Sequence, residues 1–447
     1  MAEKLSVEEL LEKAKQPGKD AMVLHPFYRG KCEVAAKCVI RDFNDFAIWY
    51  TPGVAEPCKD IVKNPDKVFE HTNKWNFVAI VSDGTRVLGL GNIGPEAGLP
   101  VMEGKAILFK YLGGVDAFPI CTNAHTTEDI IQFVKWLQPS FSGVNLEDIE
   151  KPKCFTILRR LREECQIPVW HDDQQGTAAV TLAGMLNAVK VVGKDLEKIR
   201  ITLLGAGASN LCIARMLIKA GANPEKLILI DSKGTLHKGR TELKQEDPDK
   251  WELCQSTNAE QIAAGPAEAT ENADALIALS KPGPGVVKPK WIETMAKDPI
   301  VFACANPVPE IWPWEAKEAG AKVFATGRSD FANQVNNSLG FPGIFRGTLD
   351  VMATAITDEM CIAAARELAK CAEDKGISED YIIPTMDEWE VFPREAVAVG
   401  QMAIKQGLAR IKLSKEKAIE IASIIIKRAR AQTQLMTEKG LIAKAPI

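Results

Sequence analysis

The sequence predicts an α/β fold of two domains: an N-terminal α/β domain, then a Rossmann-like doubly wound domain, with C-terminal helices packing back. Three observations predict it. Short apolar, β-branched runs ending in polar residues alternate with helix-period segments along most of the chain. A glycine turn at residues 205–207 stands between one such run and a helix pattern. An Ala/Ile-rich periodic stretch, residues 395–432, follows the last strand-like run.

The elements follow in order. Residues 1–22 read as an amphipathic helix ended by Pro17 and Gly18. Residues 77–81 form a buried strand closed by Ser82, Asp83 and Gly84. Residues 101–112 give a short helix stopped by the Gly113–Gly114 pair, and 116–123 a second strand. A helix over 128–138 leads to a strand-like piece at 145–149 that ends in acidic residues. Residues 177–192, rich in Ala and Leu, make a helix that bridges the domains. Strands are then expected at 200–204, 227–231, 273–279 and 299–304, before a polar, Asn-rich turn near Thr326 and a return to helices. At 447 residues the chain exceeds one typical hydrophobic core. The expected divisions are 1–160 for the first domain, 161–380 for the Rossmann-like domain and 381–447 for the helical segment.

Composition narrows the function classes. Hydrophobic residues make up 46% and charged residues 26%, with a formal net charge of -4, so no basic surface for nucleic acid or an anionic membrane is indicated. No apolar run approaches the roughly 18 residues that cross a bilayer. The charged, helix-forming start does not read as a secretory signal. The 11 cysteines are scattered without a CxxC pair, as expected for reduced, buried small residues in a cytoplasmic protein and not for a zinc site.

Two glycine patterns compete for a cofactor. GLGNIG at 89–94 satisfies GxGxxG by spelling, but Pro95 and Gly98 to Pro100 argue against a helix behind it. GAGASN at 205–210 lacks the third glycine, yet it follows a strand and opens a helix, and the next strand ends in Asp231, 24 positions beyond Gly207. Gly205 allows the tight turn, and Gly207 lets the backbone approach a pyrophosphate. Ala206, Ala208 and Ser209 complete the turn, and the helix N-terminus supplies N–H groups. A nicotinamide dinucleotide is therefore expected there. Asp231 is placed to hydrogen-bond the adenosine ribose, which argues for NAD, whereas Ser232, Lys233 and Arg240 could hold the 2′-phosphate of NADP; the alternatives stay open.

Seven polar clusters then occur in order at strand ends and loops: YTPGVA (50–55), SDGTRVLGLGNIG (82–94), MEGK (102–105), LEDI (146–149), HDDQQGTA (171–178), ANPVPE (305–310) and NQVNNSLGFPGIFRG (333–347). Together they resemble the malic enzymes, in their short bacterial-type form, from about residue 45 to the helical tail. The resemblance implies metal-dependent oxidative decarboxylation of L-malate to pyruvate and CO2 with NAD or NADP, and a homodimer. It also implies that no acyltransferase-like extension follows. Glu147, Asp148 and Asp173 are hard oxygen ligands suited to Mg2+ or Mn2+, and the resemblance assigns the metal to them. Adjacent carboxylates at strand ends are also common as solvated turn residues or helix caps.

By the same resemblance Lys105 is the general base, with Asp172 beside it, and Tyr50 is the acid that protonates C3 of enolpyruvate. A base must be uncharged, and burial beside a divalent cation would depress a lysine's pKa. Lys105 could equally be a surface cation paired to Glu103, and Tyr50 a ring packed over the Thr51-Pro52-Gly53 turn. Arg86 is the expected clamp on a substrate carboxylate, and Asn306 and Asn337 resemble the family's amide contacts to substrate and nicotinamide. Asn336 carries no assigned role. Gln175 stands where the short forms usually carry His, as in the larger eukaryotic-type enzymes. A metal-independent amino-acid-type dehydrogenase, which needs no carboxylate cluster, and a non-catalytic nucleotide-sensing protein, which needs neither Lys105 nor Asp173, are the rival readings.

Overall fold

The computed structural model describes residues 7–447. The first body is built on a four-stranded parallel sheet: β1 (Phe77–Ser82), β2 (Asp116–Cys121), β3 (Gly143–Leu146) and β4 (Val169–His171), in the order β2-β1-β3-β4. From Val78 to Ser82 every residue of β1 is 0% exposed, as a central parallel strand requires when helices cover both faces. The strand order reverses between β1 and β3, so a crevice opens at their carboxyl ends.

The second body has six strands: β5 (Ile201–Leu204), β6 (Leu227–Asp231), β7 (Gly234–Thr235), β8 (Ala275–Ala278), β9 (Ile300–Ala303) and β10 (Val323–Thr326), in the order β10-β9-β8-β5-β6-β7. All pairs are parallel except β6 with β7. Side chains alternate between two layers, since successive Cβ atoms point to opposite faces. Leu203, Leu229, Ile277 and Phe302 join a core shared with the first body, whereas Leu204, Ile230, Ala278 and Ala303 join a smaller core on the other face. The doubly wound topology expected from the alternating runs is thus present.

The Thr177–Val191 helix carries the chain between the two sheets and is buried over most of its length. In its C-terminal half Asn187, 0% exposed, donates to the carbonyls of Ala369 and Ile382 at 2.9 Å each, tying it to the returning C-terminal segments. Helices Phe341–Asp350, Val391–Lys405 and Lys415–Glu438 pack on the first body, against the Pro95–Gly113 helix.

Two expectations shift, and the domain divisions are proposed anew. The first sheet closes with β4, past residue 160, and the returning helices begin at Phe341, ahead of residue 381. On this topology we propose boundaries near residues 172 and 340, with a discontinuous first body. The N-terminal helix does not end at Pro17 and Gly18 but runs over Val7–Tyr28. Proline removes only one ladder bond, and side-chain pairs of Lys19 with Glu12 and of Gln16 with Asp20 flank it. The Pro95–Gly113 helix does follow GLGNIG directly, because Pro95 occupies its first turn, where a missing N–H costs nothing.

Close helix packing depends on Gly347, where an added Cβ would lie 2.1 Å from the Ala396 carbonyl oxygen. Gly347→Ala should therefore force the Phe341–Asp350 and Val391–Lys405 helices apart and cost about 1–3 kcal/mol, read as a lower Tm in thermal unfolding.

Candidate active site

Strand register assembles the chemistry. Val81 pairs with Leu146, and Leu146 with His171, so Ser82, Glu147 and Asp172 emerge side by side at the carboxyl edge of the first sheet. Beyond β3, Asp148 adopts a left-handed conformation (φ 53°), a region asparagine and aspartate tolerate better than most side chains. Beyond β4 the chain makes a π-turn over Asp172–Gly176, a form concentrated at functional sites. Gly176 permits it: a Cβ there would sit 1.9 Å from Asp172 Oδ1.

Glu147, Asp148 and Asp173 offer ligand oxygens that all lie within 4.8 Å of one another, with Glu147 and Asp148 buried. Asp173 Oδ2 also accepts from the Asp148 backbone N–H at 2.9 Å. Asp148 Oδ2 is buried without a hydrogen-bond partner, an orphan that a cation would satisfy. The residues fit a hard divalent ion.

Lys105, 7% exposed, reaches this cluster from the Pro95–Gly113 helix. Its Nζ donates to Glu147 Oε1 at 2.5 Å and to Asp172, and lies 4.7 Å from the centre of the Phe341 ring. Asp172 is 0% exposed and also accepts from Asn337 Nδ2 and from Trp170 Nε1. Burial works to depress the lysine, but Asp172, Glu147 and Asp173 outweigh it and hold the amine above its ordinary pKa. Burial lifts the carboxyls in turn. Glu147 rises well above its usual range and Asp172 rises, each restrained by Lys105, and burial with the charge of Asp173 pushes Asp148 up to about 8. The expected depressed lysine therefore does not arise from the protein's own groups, because four carboxyls share one ammonium.

A cavity of about 1530 Å³ runs from Lys105 and the carboxylates to the glycine turn before the Ala208–Ala220 helix. Gly205 (φ 98°) lies so close to β8 that a Cβ would meet the Leu279 carbonyl oxygen at 2.5 Å, while nothing lies within 4 Å of the Cβ position at Gly207. One glycine is thus required by the fold, and the other leaves open space where a pyrophosphate would approach. Asn210 does more than replace a third glycine: its Nδ2, 0% exposed with the rest of the residue, donates to the carbonyls of Leu204 and Gly205 at 3.0 and 2.8 Å and pins the turn.

The family models labelled malic enzyme, N-terminal domain, and malic enzyme, NAD binding domain, match residues 29–162 and 174–404. The chain belongs to the malic enzyme family. The bifunctional malic/malolactic enzyme of Bacillus subtilis is 48% identical over 401 residues, covering 90% of this chain and 96% of that one. The NADP-dependent malic enzyme of Halomonas elongata is 44% identical over 396 residues, covering 85% and 92%. The crystal structure of the Entamoeba histolytica malic enzyme superposes with a TM-score of 0.97 at 50% identity, covering all of this chain and 94% of that one.

On this malic enzyme fold, Arg86, Asn306, Asn336 and Asn337 line the cavity together with Gly205, Ala206, Gly207, Ala208, Ser209 and Asp231. Arg86 is exposed at the rim, its backbone N–H bonded to the Asp148 carbonyl at 2.9 Å. Tyr50 is the exception: it is 73% exposed and lies outside the cavity lining. Gln175 is buried away from the carboxylates, accepting from the His171 N–H at 3.1 Å and facing Cys361. Sequence reasoning missed Trp170 and Phe341, which wall Lys105 and Asp172, and Asn145, which donates to Glu147 Oε2 at 2.8 Å. The one signal for Trp170 and Asn145 was nearness to the acidic motifs, and for Phe341 its place within the 333–347 block.

Because Asp148 binds a proton up to about pH 8, a cation must displace it. Mn2+ affinity should rise with pH toward 8, with about one proton or more released per ion at pH 7. Calorimetry in buffers of different ionisation enthalpy measures that release, and Asp173→Ala should abolish the Mn2+ binding heat.

Proposed function

We propose that this chain oxidises L-malate with NAD(P)+ and decarboxylates the product to pyruvate and CO2, in a reaction that needs Mg2+ or Mn2+. The observation that carries this reading is one buried lysine bonded to Glu147 and Asp172 beside three converging carboxylates, in the cavity that reaches the dinucleotide turn. A metal-free dehydrogenase has no use for that convergence, and a nucleotide sensor none for the lysine.

When bound, the divalent ion supplies Lewis acidity to the C2 oxygen and cancels the negative field that otherwise keeps Lys105 charged. The nicotinamide supplies the hydride acceptor. Glu147, Asp148 and Asp173 would hold the ion, and Arg86 at the rim is suited to grip a malate carboxylate. Lys105 would take the C2 hydroxyl proton as hydride leaves C2, with Asp172 holding its Nζ and Asn337 orienting Asp172. Asn306, on the loop after β9, would face the nicotinamide and substrate, and Phe341 with Trp170 keeps water from the lysine.

Tyr50 needs a different account. It stands on a segment whose hydrogen bonds close on itself, Arg41 gripping Asp45 and Trp49 Nε1 donating to the Val39 carbonyl. Around it Ile40, Phe43, Phe46, Ile48 and Trp49 are exposed. Such a patch is suited to cover by a second copy. We therefore read the protein as a homodimer in which Tyr50 delivers the C3 proton in the cleft of the other copy. All eleven cysteines stand free, which supports a reducing compartment, the cytoplasm. No helix among the described residues is long and apolar enough to cross a membrane.

Lys105→Ala should lower malate oxidation by about 10²–10⁴-fold while dinucleotide binding persists; near-normal turnover would remove the lysine from the mechanism. Dimers refolded from mixed Tyr50→Phe and Lys105→Ala chains should recover about a quarter of the wild-type sites, since only the mixed dimer holds an intact one. A proton donor acting within its own chain would give no recovery.

A further inference from the structure

A carboxylate that binds both hydroxyls of an adenosine ribose must have acceptor positions to spare, and it offers about four in all. At the end of β6, Asp231 has filled them. Its Oδ1 accepts from the Lys233 backbone N–H at 2.9 Å and from Arg240 Nη1 at 3.2 Å; its Oδ2 accepts from Arg240 Nη2 at 3.3 Å and from Lys250 Nζ at 2.7 Å. The three side chains are only 8%, 11% and 10% exposed, so this is a packed cluster.

Asp231, Arg240 and Lys250 all line the cavity, as do Lys233 and Lys151, the latter donating to the Ala206 carbonyl at 3.2 Å in the glycine turn. The other acids near these cations are Glu242 on Arg240 Nε, Glu246 at 3.4 Å from Lys233 Nζ, and Asp247 at 3.9 Å from Lys250 and Lys151; they lie outside the cavity lining. Four cations therefore face this end of the cavity, with Asp231 between them. Burial opposes its ionisation, yet Lys250 and Arg240 bring Asp231 down to about 2, so it serves as a fixed counter-ion that orients its neighbours.

We propose that Arg240 and Lys250, aimed by Asp231, form a phosphomonoester subsite for the 2′-phosphate of the adenosine ribose, and that the chain prefers NADP+ to NAD+. The proposal rests on the dinucleotide reading above and deepens it. A guanidinium has five N–H donors and an ammonium three, so both keep donors for a phosphate after serving Asp231. A ribose hydroxyl would meet no open acceptor on Asp231.

The test is calorimetric titration of the full chain with adenosine 2′,5′-diphosphate and with adenosine 5′-monophosphate, which differ only in the 2′-phosphate. The diphosphate should bind roughly tenfold or more tightly, as expected for charge-assisted bonds. Lys250→Ala should remove most of that advantage and change monophosphate affinity much less. Equal wild-type affinities, a comparison that needs no variant, would overturn the subsite while leaving the dinucleotide reading intact. So would a Lys250→Ala chain that weakens both ligands alike. Failure of both nucleotides to bind would sink both readings together.

Discussion

The arrangement of this site depends on one buried ammonium shared among carboxylates. Lys105 bonds Glu147 and Asp172 where water is nearly excluded, and Asp148 and Asp173 stand within the same few ångströms. Gathering like charges in a low-dielectric crevice is unfavourable, and a single cation offsets only part of it. Burial first, and then the neighbouring carboxylates, displace Glu147, Asp148 and Asp172 upward. Strain of this kind persists only where surrounding structure imposes it and a ligand relieves it. The relief we propose here is a divalent cation, which would join metal binding, proton release and the charge state of Lys105 in one balance.

What imposes the arrangement lies partly far along the chain. The Pro95–Gly113 helix that carries Lys105 is clamped by the C-terminal helices: a Cβ on Gly113 would meet the Pro342 carbonyl oxygen at 2.7 Å, and one on Gly114 would meet Ile425. Phe341, at the start of the returning helices, lies against the lysine itself. Residues more than two hundred positions apart thus fix one amine, and the C-terminal segment belongs to the site as much as to the scaffold. The two bodies also meet across the cavity, where Gly89 packs so closely that a Cβ would touch the Asn306 carbonyl oxygen at 2.8 Å. Lys151, three residues beyond Asp148, reaches the Ala206 carbonyl. The loop proposed to hold the metal and the turn proposed to hold the dinucleotide are therefore in direct contact, so closure of one body on the other would bear on both ends of the reaction.

The parallel strands, the bridging helix and the strand–turn–helix setting of residues 205–210 were legible in the chain, since apolar runs and glycine placement act locally. A helix follows 89–94 as well, and the difference lies in the twelve residues between β1 and that helix against three between β5 and its own. Asp231 was read as a ribose acceptor because its place after β6 is visible, whereas its partners Arg240 and Lys250 lie nine and nineteen residues on. Tyr50 was read by motif alone, and its exposure depends on how residues 39–54 fold against themselves.

By itself the sequence determined which groups are available: the hard oxygen ligands, the lysine, the glycine turn and the periodicities that make strands and helices. Those are properties of side-chain chemistry and local backbone preference. Only the tertiary structure decided their charge states and access. Register put Glu147 and Asp172 at one level, a π-turn folded Asp172 back over Gly176, and distant helices closed the wall behind Lys105. The physical reason is that electrostatic interaction and desolvation depend on separations in space and on what excludes water, and neither quantity is carried by position along a chain.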